Sequence, residues 1–208
     1  MHDQANGVRS PLWKPDFEYV ENIDYYNTTR AEHQLLVDQG AIYKHDRQAD
    51  LVLDMFRAGQ HEPSYGYQVN MYRHCLQSAT LLHRAGFDEE TVVVGLLHDI
   101  GFNLTPQRHG PMAAELLGPW VSEANAWMLE HHQVFATFEA IDEPPVDPDA
   151  RARERWRGHP HYEWTLLFVT QFDQSAMDPN HDNAPLEFFE PMVRRVLAKP
   201  SRVLPIPE

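Results

Sequence analysis

The sequence has little cysteine, few basic residues and no long hydrophobic run. One cysteine in 208 residues, Cys75, excludes a disulfide framework and a cysteine-rich zinc site, and it favours a reducing compartment. Seventeen basic against thirty-one acidic residues give a formal charge of -14, which argues against binding to nucleic acid or an anionic membrane surface. No apolar stretch reaches the roughly 18 residues of a membrane span, and the start lacks an export signal. We expect a cytoplasmic protein, a monomer or weak homo-oligomer, with a small-molecule substrate.

Strand patterns are almost absent, whereas helical patterns are frequent, so the predicted fold class is all-α. At 42% hydrophobic residues the chain is long enough to bury one core. One helix is expected to begin after Asp88 and to carry His98 and Asp99 in its last turn. The other predicted helices span residues 27–40, 47–59, 68–85, 109–117, 121–132, 160–175 and 185–198.

The predicted organisation is a single domain with an N-terminal arm. Residues 1–60 form an extended arm, to about residue 27, followed by short helices packed on the core. Residues 61–199 form the helical domain, and the proline-rich residues 200–208 form a tail. The acidic, proline-rich stretch 139–150 cannot be a core element and is expected to be a solvated loop, which at this length is often functional.

Metal-ligating side chains recur at the centres or ends of these helices. A lone histidine in such a place is more often a core or rim residue with a hydrogen-bond partner. Bringing four imidazoles and two carboxylates together costs desolvation that little except metal coordination would offset. The six candidate ligands are His74, His98, Asp99, His109, His132 and Asp173.

Four of these side chains would suffice for one metal ion, so the other two histidines indicate a second ion. A carboxylate has two oxygens, and Asp99 could therefore bridge the two ions. One ion would take His74, His98, Asp99 and Asp173. The other would take Asp99, His109 and His132, with positions left open for oxygen and substrate.

Several short motifs carry a resemblance that covers about residues 70–173. They are His74-Cys-Leu-Gln77-Ser-Ala79, Leu96-Leu97-His98-Asp99-Ile-Gly101, Arg108-His109, Glu130-His131-His132 and Phe172-Asp173-Gln174-Ser175. This order of residues resembles the HD-domain superfamily, and more narrowly its mixed-valent diiron oxygenases, which include myo-inositol oxygenase and the phosphonate-cleaving oxygenases. Single-metal HD phosphohydrolases have the shorter order H…HD…D.

The resemblance implies an HD-domain helical bundle that holds two iron ions as a mixed-valent Fe(II)/Fe(III) pair and uses O2 as co-substrate. Such an oxygenase removes hydrogen from the carbon next to an iron-bound hydroxyl of a small substrate. The outcome is hydroxylation or oxidative C–C or C–P cleavage, a dioxygenase-type reaction. His98 and Asp99 are the catalytic pair in this interpretation. Either His131 or His132 could be the ligand, and the family spacing favours His132.

Phe102 is where this chain departs from HD hydrolases, which have His or Lys at that position. Loss of this group removes an acid or a phosphate contact, and it weakens a phosphohydrolase more than an oxygenase. It also weakens a phosphonate substrate, as does Ala136, which stands where the phosphonate cleavers have a basic residue. The expected substrate-contacting residues are Tyr65, Tyr67, Gln77, Phe102, Arg108, His131 and Arg157.

Two other hypotheses stay open. The first is a metal-dependent phosphohydrolase that acts on a nucleotide or phosphomonoester through the same six ligands. The second is a non-catalytic module in which the histidine-bearing helices merely pack, against which the intact ligand order argues. Four further histidines have no role in either enzyme and are expected at the surface or the rim of the site; they are His61, His83, His159 and His161.

Overall fold

The computed structural model of the protein describes residues 18–20, 25–136 and 152–198. Within these ranges the chain is all-helical and contains no strand, which confirms the predicted fold class. No helix in the same ranges combines the length and the apolar character needed to cross a bilayer. The seven α-helices of this part are α1 (Arg30–Ala58), α2 (Met71–Arg84), α3 (Glu89–Leu97), α4 (His109–Leu117), α5 (Glu123–Phe135), α6 (Tyr162–Phe168) and α7 (Leu186–Val196).

Shorter elements join these helices. Single 3-10 turns occupy Tyr25–Asn27, Gly59–His61 and Gly118–Trp120, and a longer one spans Ala152–Trp156. The predicted arm up to about residue 27 lies mostly outside the described residues, and the predicted loop 139–150 and tail 200–208 lie wholly outside them. The chain divides into two compact units, Met1–Arg47 and Gln48–Glu208. The candidate site described below lies within the second unit.

Helix α1 corrects the prediction of two short helices separated at Gly40. It runs through Gly40 without a break for 29 residues. Its start is a reciprocal capping box, in which Thr29 Oγ1 accepts from the Glu32 amide at 3.2 Å and Glu32 Oε2 accepts from the Thr29 amide at 2.8 Å. A glycine inside a helix costs about 1 kcal/mol relative to alanine, which weakens a helix without ending it.

The starts of three further helices follow the sequence closely because their capping residues act locally. Asn70 accepts a hydrogen bond from an amide in the first turn of α2, Asp88 does so for α3, and Ser122 for α5. Two predicted helices are shorter than expected: α2 covers Met71–Arg84 within 68–85, and α7 covers Leu186–Val196 within 185–198. Local capping therefore fixes where the site-bearing helices begin.

The core is formed by apolar faces of α2 to α7 and the last turns of α1. Its members include Leu53, Leu82, Leu96, Leu129 and Phe168, each with no measurable exposure. Burying a side chain of this size contributes roughly 1.5–3 kcal/mol. The core packs α2 against α3 and α4 against α5 as two neighbouring pairs.

A glycine in each pair allows the two helices of that pair to approach closely. A Cβ at Gly95 on α3 would collide with the Leu82 side chain on α2. A Cβ at Gly110 on α4 would lie 2.8 Å from the Leu129 carbonyl oxygen and 3.3 Å from Cε1 of His132 on α5. These contacts set the spacing of the helices that carry the candidate ligands.

The end of α6 departs from the regular helix predicted over 160–175. The segment Val169–Asp173 forms a π-helical turn, closed by the Gln174 amide, which donates to the Val169 carbonyl at 2.9 Å. π-turns inside helices are rare and are found often at functional sites. Here the wider turn ends at Asp173, one of the six candidate ligands.

Candidate metal centre

The structure brings the six predicted ligands together, although they come from five separate places in the chain. Five of the six side chains are less than a tenth exposed, and the Asp173 side chain is 13% exposed. Their positions are the middle of α2 (His74), the end of α3 and the following turn (His98, Asp99), the first residue of α4 (His109), the last turn of α5 (His132) and the π-turn (Asp173).

The first set of ligand atoms consists of His74, His98, Asp173 and one oxygen of Asp99. The two imidazole Nε2 atoms lie 3.1 Å apart. Oδ1 of Asp173 is 3.3 Å from His74 Nε2 and 3.7 Å from His98 Nε2. Oδ2 of Asp99 is 3.6 Å and 3.7 Å from the same two nitrogens. Each of the two carboxylate oxygens therefore lies 3.3–3.7 Å from both imidazole nitrogens of this set.

The second set consists of His109, His132 and the other oxygen of Asp99. The Nε2 atoms of the two histidines lie 3.0 Å apart. Oδ1 of Asp99 is 3.1 Å from His109 Nε2 and 3.2 Å from His132 Nε2. Asp99 thus directs one oxygen to each set, the arrangement predicted for a bridging carboxylate. The sets are neighbours, since ligand atoms of His98, His132 and Asp173 also lie within 4.8 Å of one another.

These spacings fit coordination better than hydrogen bonding between the rings. Ligand atoms at about 2.1 Å from a shared ion stand about 3.0 Å apart in octahedral and about 3.4 Å apart in tetrahedral geometry. The distances between ligand atoms given above, 3.0–3.7 Å, are close to both values. The groups could therefore hold metal ions without a large rearrangement.

The outer nitrogens of all four histidines support the same interpretation. Each Nδ1 lies against a backbone carbonyl: Ala176 for His74 at 3.1 Å, Gly95 for His98 at 2.8 Å, Pro106 for His109 at 2.6 Å and Leu129 for His132 at 2.8 Å. A carbonyl can only accept, so each Nδ1 carries a hydrogen, and each Nε2 is left to bind either a proton or a metal ion inside the centre. Lone pairs 3 Å apart repel unless a cation stands between them. Anchoring by Nδ1 is the usual arrangement of metal-bound histidine.

The charges of the centre also favour a cation. Burial opposes a charge on His98, but Asp99 and Asp173 outweigh it and raise the pKa of His98 to about 9. Burial also opposes ionisation of Asp99, yet His98 and the hydrogen bonds from His109 and His132 hold the pKa of this carboxyl well below its usual range. Burial opposes ionisation of Asp173 as well, but the hydrogen bonds from His74 and His98 outweigh it and lower the pKa of this carboxyl. Both carboxylates are therefore ionised in a largely buried site, and a metal ion would compete with protons for the ring nitrogens.

A cavity of about 330 Å³, here called the front cavity, opens over the centre. Five of the six candidate ligands line it, and His98 lies behind them. The rest of its wall is largely apolar, with Met71, Phe102 and Met177, and three side chains add hydrogen-bonding groups: Tyr67, Gln133 and Gln174. Its volume suits a small molecule that reaches the candidate ligands directly.

Of the predicted substrate-contacting residues, Phe102 and Tyr67 line the front cavity. Tyr65 does not line it, but its ring centre lies 6.3 Å from that of Phe102, and its backbone has a φ of 53°. Gln77 is buried away from the cavity, where its side-chain oxygen accepts from the Asp178 amide at 3.1 Å.

Three predicted cationic or ionisable contacts lie elsewhere. His131 stacks on Trp127 with ring centres 4.1 Å apart and an interplanar angle of 11°. Arg108 lies beside His131 in a separate polar depression. Arg157 pairs with Glu154 at 2.6 Å. None of the three lines the front cavity, and the structure gives Nε2 of His132, not the ring of His131, to the centre.

The sequence analysis missed Gln133, Gln174, Met71 and Met177 as lining residues. Gln133 and Gln174 each follow a candidate ligand directly, so adjacency to His132 and Asp173 was the available indication. The two methionines carried no indication beyond apolar character. No protein-family model and no curated protein matches this sequence.

Proposed function

We propose that this protein is a diiron oxygenase of the HD-domain superfamily, which uses a mixed-valent pair of iron ions and O2 to oxidise or cleave a small hydroxylated substrate. The observation that carries the proposal is the division of Asp99 between two imidazole sets. Oδ1 faces His109 and His132, and Oδ2 faces His74 and His98, at 3.1–3.7 Å. A single-ion site needs no second pair of imidazoles.

The ligand sets define what each ion would take from the protein. One ion would have His74, His98, Asp173 and Asp99, and the other would have only His109, His132 and Asp99. When bound, the irons would supply the one-electron chemistry that O2 requires and a binding position for a substrate hydroxyl, neither of which protein side chains supply. The smaller protein ligand set leaves more positions for small molecules at the second ion.

The walls of the front cavity favour an uncharged, hydroxylated substrate over a phosphoester. Among the described residues that line the cavity there is no lysine or arginine, although a phosphate group is usually held by such cations. Phe102 lies where a cationic or acidic group would serve hydrolysis, and its ring centre is 5.3 Å from that of His109. Tyr67, Gln133 and Gln174 offer groups that can hydrogen-bond to hydroxyls without adding charge.

The apolar side chains have a second role in this proposal. Met71 is 8% exposed, and with Phe102 and Met177 it surrounds the ligands with groups that cannot hydrogen-bond to water. A bound substrate would therefore displace water that these walls hold poorly. Exclusion of water protects a reactive oxidised carbon and strengthens the contacts of the substrate hydroxyl.

The test is to prepare the protein with iron under exclusion of oxygen and to count metal ions per chain. EPR of a partly oxidised sample should then give a coupled mixed-valent signal that shifts with one of a panel of small polyols and other uncharged hydroxylated compounds. The same compound should drive O2 consumption. His131→Ala is the matched control, because this neighbour of His132 lies outside both ligand sets and should keep metal content and signal.

The phosphohydrolase remains the competing hypothesis, and the same preparation separates the two. One metal ion per chain, or two manganese ions with turnover of phosphomonoesters and no O2 consumption, would contradict the oxygenase. The variant Phe102→His sharpens the choice. Phosphatase activity that is found in this variant and is absent from the parent would mean that Phe102 excludes hydrolysis.

A further inference from the structure

A second cavity, lined by a different set of helices, also reaches Asp99. This rear cavity, of about 150 Å³, lies between the last turns of α1, the first turns of α2 and the turn that follows α3. Asp99 and Met71 line both cavities. Asp99 of the candidate metal centre therefore borders two cavities.

Apart from Asp99 at its inner end, the inner wall of the rear cavity is mainly apolar, and charged and amide side chains stand at its rim. Its inner wall is built from buried residues, Phe56, Met71, Cys75 and Ile100, none more than 9% exposed. Glu62 and Asn103 are exposed and stand at the rim beside Leu104, which is 69% exposed. The wall becomes less polar from the rim toward Asp99.

This chemistry excludes the substrates that the front cavity admits. A polyol would lose its water in the rear cavity without regaining hydrogen bonds, which costs about 2–7 kcal/mol for each hydroxyl group. A small apolar molecule has no such cost. Dry apolar cavities of about this size bind xenon or benzene.

We infer that the rear cavity is a binding and entry site for an apolar diatomic gas, namely O2. The inference rests on the proposed function, which requires O2 and substrate at one metal pair. With substrate in the front cavity, the rear cavity remains an approach to the bridging carboxylate. Among the described residues that line the cavity inside its rim, Asp99 is the one ionised group, so an apolar gas that enters from the rim can reach the centre without displacing substrate from the front cavity.

The first experiment uses xenon, which shares the size class and apolar character of O2 and needs no turnover. Crystals of the metal-loaded protein are pressurised with xenon and the bound atoms located. We expect xenon between Phe56, Cys75 and Ile100. Ordered water in this space with no xenon would overturn the inference, because it would mean that the cavity is wet.

The second experiment narrows the cavity at Met55, which lines its outer part on α1 and contacts neither ligand set. Met55→Trp should abolish the xenon site and raise the KM for O2 several-fold, with the KM for the hydroxylated substrate unchanged. Met55→Leu, of similar volume, is the matched control and should change neither quantity. An unchanged KM for O2 in a folded Met55→Trp protein that has lost its xenon site would overturn the role in entry.

The outcomes separate this inference from the proposed function. If xenon binds in the rear cavity but the protein consumes no O2 with any compound of the panel, the oxygenase is contradicted and gas binding in the rear cavity is supported. O2 consumption without xenon binding would contradict the rear cavity alone.

Discussion

Two groups of histidines meet on α5, where His131 belongs to one group and His132 to the other. The two groups differ in what surrounds their rings. In the candidate metal centre, four rings donate through Nδ1 to backbone carbonyls and direct Nε2 to Asp99 or Asp173. In the second group, which we call the tryptophan stack, His131 and His159 lie on the two sides of Trp127 at 4.1 Å and 4.3 Å. His161 lies at its edge.

The difference shows what makes a histidine cluster a candidate metal site. The tryptophan stack also holds several aromatic rings in contact, but no carboxylate of the described residues lies between its rings. His131 has Glu130 at 4.0 Å, and His161 has Glu123 at 4.0 Å, both with exposed carboxylates. Ring density is therefore not the criterion. Neither is an anchored ring alone, because Nδ1 of His131 also lies 3.0 Å from a backbone carbonyl, that of Trp127. The criterion is that the Nε2 atoms of the anchored rings converge on a buried carboxylate.

The largest expected effect comes from removing the group that joins the two ligand sets. In the proposed diiron protein, Asp99→Ala should lower the bound iron from two ions per chain to none, because both sets lose their shared anionic ligand and the second set is left with two imidazoles alone. Metal analysis after gel filtration measures this. Asp182→Ala, whose carboxylate is 96% exposed, is the control and should keep both ions. Retention of two ions by Asp99→Ala would contradict a bridging role.

The next largest effect distinguishes the adjacent residues His131 and His132 on α5. His132→Ala should lose the ion of the second set and keep that of the first, whereas His131→Ala should keep both. Removal of a hydrogen-bond partner of a metal ligand lowers metal affinity about 10- to 100-fold. Because His132→Ala removes the ligand itself, the affinity for the second ion should fall by more than this. Titration of the metal-free protein with Fe(II), followed by calorimetry, gives both affinities. If His131→Ala loses the ion instead, the assignment of the ligand is wrong.

The distinction between His131 and His132 also shows what sequence could and could not predict. Successive residues on a helix point about 100° apart, so only one of the two could face the centre, and only the packing of α5 on α4 decides which. Capping residues and the order of the six candidate ligands were predictable because they depend on local chemistry or motif order. The Nδ1 partners could not be predicted, because every residue has a backbone carbonyl and the sequence does not indicate which one lies beside a given ring.

The errors have similar physical causes. Gly40 was expected to end a helix, yet α1 continues through it, because a glycine lowers helix stability without ending the helix. Arg108 and Arg157 were expected near the substrate because of their charge. The fold instead places the first in another depression and pairs the second with Glu154. Which surface a long side chain covers depends on tertiary packing.

A smaller effect is expected when the spacing between the centre and its supporting helix changes. Gly110→Ala places a Cβ 2.8 Å from the Leu129 carbonyl oxygen, and backbone cannot move aside as a side chain can. We expect a loss of about 1–3 kcal/mol in the free energy of unfolding, typical of overpacking, together with weaker metal binding at His132.

Urea unfolding of the metal-free protein measures the first effect, and metal titration the second. The control is Gly40→Ala in α1, where nothing lies within 4 Å of the new Cβ. This variant should gain about 0.5–1 kcal/mol, since alanine favours a helix over glycine. Equal effects of the two substitutions would mean that the approach of α4 to α5 is not constrained at Gly110.

The smallest effect tests the tryptophan stack itself. His159→Ala removes one of the two rings that lie flat on Trp127, at 4.3 Å and an interplanar angle of 14°. We expect a loss of about 0.5–1.5 kcal/mol in the free energy of unfolding, the range of an aromatic pair, with the metal content and the mixed-valent signal unchanged. Replacing the exposed His61 by Ala should change stability by less than about 0.5 kcal/mol. Loss of an iron from His159→Ala would show that the tryptophan stack and the metal centre act as one unit, and the contrast between the two histidine groups would then fail.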